Sequence, residues 1–151
     1  MPFEYHAKVN KVIDGDTINV DLDLGFNVVL SNQSVRLLGV DTPESRTSDK
    51  VEKIFGALSK EKVKEFIDRC ENQIILQTVL SDSEEKFGRL LGNVINPKDN
   101  TSLNEWLIWH NYAVAYNGEN KDKVAQAHLS NRKILIDNKE IAITYATAGI
   151  K

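Results

Sequence analysis

The chain has 151 residues, 41% hydrophobic and 27% charged, and a net charge of −3. One domain is expected at this length, and the acidic balance excludes a broad basic footprint for duplex DNA while leaving room for a small cationic site. A single cysteine, Cys70, excludes an intramolecular disulfide. No stretch reads as a leader or a membrane span, so a soluble, intracellular protein is expected, a monomer with no obligate protein partner.

Residues 7–24 read as strand interrupted by a turn at Asp14-Gly15-Asp16. Ile18, Val20, Leu22 and Leu24 share one face; Thr17, Asn19, Asp21 and Asp23 share the other. Gly25 marks a turn. Residues 26–30 form a second strand, 31–34 a polar turn and 35–40 a third strand, giving an antiparallel meander. A helix follows over 48–70, with Thr47, Ser48 or Asp49 as its cap. Its apolar stripe is Val51, Phe55, Leu58, Phe66 and Cys70, with Lys62 the one charge on it. Residues 73–80 form a fourth strand, 81–86 an acidic loop and 90–95 a fifth strand. Thr101 or Ser102 caps a helix over 103–111, and 112–116 is extended or irregular. A third helix covers about 122–138, contacting the core through Val124, Ala127, Leu129, Ile134 and Leu135. The tail, 139–151, has no pattern that assigns it. Five strands with one helix between the third and fourth, and two helices after, predict an α+β fold. The architecture is a five-stranded OB-type barrel with about three peripheral helices.

The chemistry concentrates in Val35-Arg36-Leu37-Leu38-Gly39-Val40-Asp41-Thr42-Pro43-Glu44. An apolar strand has no packing reason to carry a guanidinium, so Arg36 is expected to face an anion. Pro43 stiffens the turn that carries Asp41 and Glu44. Upstream, Gly15 permits a positive φ between two aspartates. Asp16 has the parity of Ile18 and points toward the barrel mouth, where a carboxylate needs a partner. Asp14 reads as an Asx-type turn residue. The acidic cluster does not read as an EF-hand: its glycine comes too early and no closing glutamate follows. His6, His110 and His128 lack metal-ligand spacing and read as surface or packing residues. Trp106 and Trp109, three apart on the second helix, are expected in the core.

Asp14-Gly15-Asp16-Thr17, the Arg36-to-Glu44 stretch and Phe87-Gly88-Arg89 occur in that order. With Val51-Glu52-Lys53 and Leu103-Asn104-Glu105 opening the first two helices, the pattern resembles the staphylococcal nuclease (thermonuclease) family over about residues 8–116. That resemblance implies an OB barrel with three helices and a Ca²⁺-dependent phosphodiesterase, an endonuclease acting on DNA or RNA, single-stranded or frayed. Free 5′-hydroxyl and 3′-phosphate ends would result. It implies Asp16 and Asp41 as carboxylate ligands of Ca²⁺, the Thr42 carbonyl as a third ligand, and Glu44 acting on the attacking water. Arg36 and Arg89 would grip the scissile phosphate. The family carries tyrosine where this chain has Phe87, so Lys86 is left for a terminal phosphate. Tyr116, or alternatively Tyr112, would stand near the base. The alternative class is a non-catalytic nuclease-like module; a plain single-strand binder fits the acidic composition poorly.

Overall fold

Alternation of apolar and polar residues closes strands drawn from residues 2–95 into a barrel. The computed structural model describes residues 2–79, 90–118 and 120–150. Strands β1 (Pro2–Asp14), β2 (Thr17–Asp23) and β3 (Val29–Leu37) form a meander. The stretch read as one interrupted strand, 7–24, is however β1 and β2, and those read as separate strands, 26–30 and 35–40, are largely the single strand β3. The two-residue strand β4 (Val40–Asp41) comes next, then helix α1 (Lys50–Arg69) and strands β5 (Gln73–Val79) and β6 (Leu90–Ile95). The barrel closes in the order β1-β2-β3-β6-β5, with β3 and β6 parallel and the other pairs antiparallel. Helix α2 (Leu103–Trp109), strand β7 (Val114–Ala115) and helix α3 (Lys121–Asp137) complete the chain, and β7 pairs with β4 outside the barrel. A closed five-stranded barrel with three helices is the expected OB-type α+β fold.

Inside, Ile18, Val20 and Leu22 meet Val35, Leu37, Leu76 and Val94, all buried. Two boundaries differ from the periodic reading. The polar stretch Ser31–Ser34 is not a turn: β3 runs through it as strand with a bulge. Asn32 takes φ 56°, and its N–H is satisfied by the Asp21 carboxylate at 2.9 Å. The turn expected at Gly25 is present but takes in Phe26 and Asn27, read as strand; all three are at positive φ, Leu24 is exposed and Phe26 lies wholly in solvent.

Asp49 caps α1, accepting from the Val51 and Glu52 amides. The buried face of α1 is rotated from the predicted stripe. It is Phe55, Gly56, Ser59, Val63, Phe66 and Ile67, while Lys62 sits at the edge over the Tyr112 ring. Two members of that face are small and not apolar by composition, so periodicity alone misplaces its centre. Ser102 caps α2. Trp106 packs on Phe66 and under Arg69, but Trp109 is 87% exposed. Helix α2 is two turns long, and the α1 surface that covers Trp106 does not reach its last residue. On α3 only Leu135 is fully buried, and Ile134 is exposed. The unassigned tail packs back: Ala148 is buried, Ile141, Ile143 and Ile150 lie against the core, and Arg132 donates to the Ala148 carbonyl.

One polar side chain ties α2 to the barrel. Buried Asn104 donates to the Leu38 and Gly92 carbonyls and accepts from the Val94 amide. The Gly92 carbonyl also accepts from Leu38 N–H, so it keeps a partner if Asn104 is lost. Asn104→Leu therefore strands the buried Val94 amide, while Leu38, 39% exposed, can turn its carbonyl to water. At about 1–3 kcal/mol for the stranded donor, the loss is read as a lower urea midpoint at unchanged slope.

Candidate active site

The site is assembled at one end of the barrel. Asp14 and Thr17 face each other where β1 turns into β2, and the Gly15 amide donates to the Asp14 carboxylate at 2.8 Å. Gly15 does not use the positive φ that its sequence context suggested. It is needed for space: a Cβ there would lie 2.9 Å from Thr42 Oγ1 and 3.0 Å from Ser59 Cβ. Thr42 is thereby tucked beneath the turn, and its hydroxyl oxygen is buried with no hydrogen-bond partner.

Asp16 is 9% exposed. Thr17 Oγ1 donates to its Oδ1 at 3.0 Å, and Arg36 Nη2 stands 3.5 Å from its Oδ2. The register explains the encounter, because Thr17 and Arg36 are direct partners across β2 and β3. Arg36 Nη1 also donates to the Val40 carbonyl at 3.2 Å, folding the guanidinium over the turn into β4. Gly39 makes that turn at φ +77°, a backbone state that costs glycine little. The same Nη2 lies 3.7 Å from Asp41 Oδ1, so one guanidinium holds both aspartates.

Asp14, Asp16, Arg36, Glu44 and Arg46 line an open pocket of about 470 Å³. Burial pushes the Asp16 carboxyl above its ordinary range despite Arg36 and the Thr17 hydroxyl, and Asp14 and Asp41 push the same way. Glu44 is also raised, first by partial desolvation and then by Asp14, Asp16, Glu52 and Asp41. Its backbone rests directly on α1, where Gly56 leaves room for the Glu44 carbonyl. Among the described residues two arginines, Arg36 and Arg46, face the carboxylates of Asp14, Asp16, Asp41 and Glu44, which leaves the site short of positive charge. The donors are all hard oxygens, which suits Ca²⁺. Among the described residues no three His, Cys, Asp or Glu side chains form a cage alone. A cation here would draw on Asp16, Asp41, backbone oxygen and water, with a substrate oxygen completing its shell.

Asp16, Arg36 and Asp41 therefore converge, Glu44 lines the same pocket as Asp16 and Arg36, and Thr42 lies beneath the Gly15 turn. Arg89 and Lys86 lie outside the described residues, as does Phe87. Tyr116 is 37% exposed and its amide donates to the Gly39 carbonyl, on the far side of the β3–β4 turn. Tyr112, the alternative base-side aromatic, is buried and its hydroxyl donates to Glu140, so Tyr116 is the exposed one of the pair. Two residues were missed. Arg46, two positions after Glu44, lines the pocket and adds positive charge. His128, read as a surface or packing residue, places Nε2 2.7 Å from Asp41 Oδ2. Nothing in local spacing could reveal that contact, because 87 residues separate the two.

The architecture and the pocket define an OB-type barrel with an acidic, arginine-bridged site at its mouth. The family described as Staphylococcal nuclease homologue matches residues 34–135, and the chain belongs to it. Endonuclease YhcR of Bacillus subtilis is 30% identical over 75% of this chain and 9% of its own length. An uncharacterized protein of Methanocaldococcus jannaschii is 32% identical over 79% of this chain and 64% of its own. An uncharacterized endonuclease of Escherichia coli O157:H7 is 28% identical over 80% of this chain and 67% of its own. This chain thus spans a small part of the Bacillus protein and just under two thirds of the Methanocaldococcus one. Among the described residues no helix is long and apolar enough to cross a membrane.

Proposed function

We propose that this chain is a Ca²⁺-dependent nuclease that hydrolyses phosphodiesters in DNA, RNA or both. One observation carries the reading: Arg36 stands between Asp16 and Asp41, at 3.5 and 3.7 Å, in a pocket walled by Glu44. A phosphate-reading fork and hard-oxygen donors share one surface. Asp16, Asp41 and the Thr42 carbonyl would hold the ion. Bound there, it supplies neutralisation of charge on the scissile phosphate. Arg36 orients the phosphate through its planar fork, and Arg89 is assigned the second grip. Glu44 accepts a proton from the attacking water, or orients it, as the P–O5′ bond breaks. A 5′-hydroxyl and a 3′-phosphate result. Lys86 and Tyr116 are assigned to flanking phosphate and base, on a single-stranded or frayed substrate cut internally by a monomer.

The test is cleavage of single-stranded DNA and RNA by purified protein with Ca²⁺, expected to stop on chelation. No cleavage with Ca²⁺, Mg²⁺ or Mn²⁺ would favour a non-catalytic binding module. Thermal melting gives a second readout. Saturation at about 100 times Kd adds about 2.7 kcal/mol, or a rise of about 5–10 °C at this size. Asp16→Asn should abolish that rise. In metal-free protein the same variant should melt no lower than wild type near neutral pH. The Asp16 carboxyl is held above its ordinary 3.8, so its stabilising contribution is present below that value and lost as pH climbs through the folded one.

A further inference from the structure

Asp41 presents its two oxygens to different elements. Oδ1 faces the Arg36 guanidinium of β3 at 3.7 Å, and Oδ2 meets His128 Nε2 of α3 at 2.7 Å. A carboxylate only accepts hydrogen bonds, so Nε2 is the donor in this pair. The imidazole is mostly enclosed, with 16% of its side chain exposed. Helix α3 is in turn fixed behind it: Asn131 Nδ2 donates to the Ala113 carbonyl at 3.2 Å, and Arg132 stacks 5.1 Å over the Phe55 ring. Asp41 sits on a strand of only two residues, paired with β7 alone. Such a short element holds a side chain loosely unless something beyond it constrains the rotamer.

We infer that His128 is a positioning residue that locks Asp41 in the orientation directing Oδ1 toward the Arg36 guanidinium, thereby setting the site's affinity for a divalent cation. The inference rests on the proposed metal-dependent reading and deepens it. With Oδ2 committed to the imidazole, Asp41 keeps Oδ1 on the side of Arg36, which lines the pocket. Its rotamer is then set by α3, an element that contributes nothing else to the pocket wall. Hydrogen-bonded partners of ligating carboxylates fix their direction, and losing such a partner typically weakens metal binding about 10- to 100-fold.

The experiment is calorimetric titration of the full chain with Ca²⁺, paired with cleavage of single-stranded DNA across Ca²⁺ concentrations. In His128→Leu the Ca²⁺ Kd is expected to rise about 10- to 100-fold, with kcat at saturating Ca²⁺ within about threefold of wild type. His128→Gln, which keeps an N–H at comparable reach, should restore most of the affinity. In an Asp41→Asn background, His128→Leu should change the Kd no further, because the two act as one unit. A wild type that binds Ca²⁺ and a folded His128→Leu that binds it equally well overturn the inference and leave the nuclease reading standing. Equal loss in His128→Leu and His128→Gln, both folded by circular dichroism, also overturns it, as would a drop in saturated kcat with Kd unchanged. A wild type that binds no divalent cation overturns both readings together.

Discussion

Glu44→Gln is expected to lower kcat by about 10²- to 10⁴-fold, the range contributed by a positioned proton acceptor. The substitution keeps the shape of the side chain and its place on the pocket wall. It removes only the ability to take a proton from water. Wild-type Glu44 is held above the ordinary glutamate value, by partial desolvation first and by Asp14, Asp16, Glu52 and Asp41 after it. A base must be ionised to act, so kcat/KM should carry an acid limb in wild type that vanishes in Glu44→Gln. Stability runs in the opposite sense. In metal-free protein the raised carboxyl contributes stability below its unfolded value and loses it as pH rises through the folded value. Glutamine should therefore not lower the melting temperature near neutral pH. Turnover and melting, measured on the same preparation, separate a lost base from a damaged fold. Wild-type turnover in this variant would remove Glu44 from the mechanism.

The barrel was legible because its strands repeat with period two and their buried faces are made of Ile, Val and Leu. Ile18, Val20 and Leu22 point inward as their alternation requires. Arg36 and Asp16 stood out for a similar reason, since each breaks a pattern that packing alone would dictate, whereas Asp41 and Glu44 stood out through the stiff Pro43 turn and the family resemblance. What escaped was long-range or small. The polar run at 31–34 carries turn-like residues, yet the Asp21 carboxylate satisfies the Asn32 amide and keeps the segment in the sheet. Ser59 lies off the apolar stripe that periodicity picks out. It is buried, and its hydroxyl donates to the Tyr112 carbonyl at 2.6 Å, stitching α1 to the segment before β7. His128 needed α3 to be docked before it had a neighbour. In each case the deciding partner lies in another element, beyond any window that periodicity scans.

Gly56 is the plainest example, and its replacement by alanine sets two effects against each other. In an isolated helix, Gly→Ala stabilises by about 1 kcal/mol. Here a Cβ would stand 2.3 Å from the Glu44 carbonyl oxygen and 2.6 Å from the Ser45 amide nitrogen. These are backbone atoms in the residue pair that follows Pro43, so no side chain can swing aside. Overpacking against such a wall costs about 1–3 kcal/mol, enough to cancel the helix gain or exceed it. The larger consequence is positional. To relieve the contact the 43–45 segment must shift outward, carrying the Glu44 carboxylate from its place in the pocket. A displacement of about 1 Å in a reacting group can cost about 10²-fold in rate. Gly56→Ala is expected to lose about that factor in kcat with a melting temperature equal to or below wild type. Ala57→Gly, one residue along on the exposed side of the same helix, serves as control: it should lose about 1 kcal/mol of stability and keep its turnover. If Gly56→Ala proves more stable than wild type and fully active, the Glu44 segment does not depend on the bare backbone of α1. If it loses turnover while Ala57→Gly does not, the rate loss comes from moving Glu44 rather than from weakening the helix.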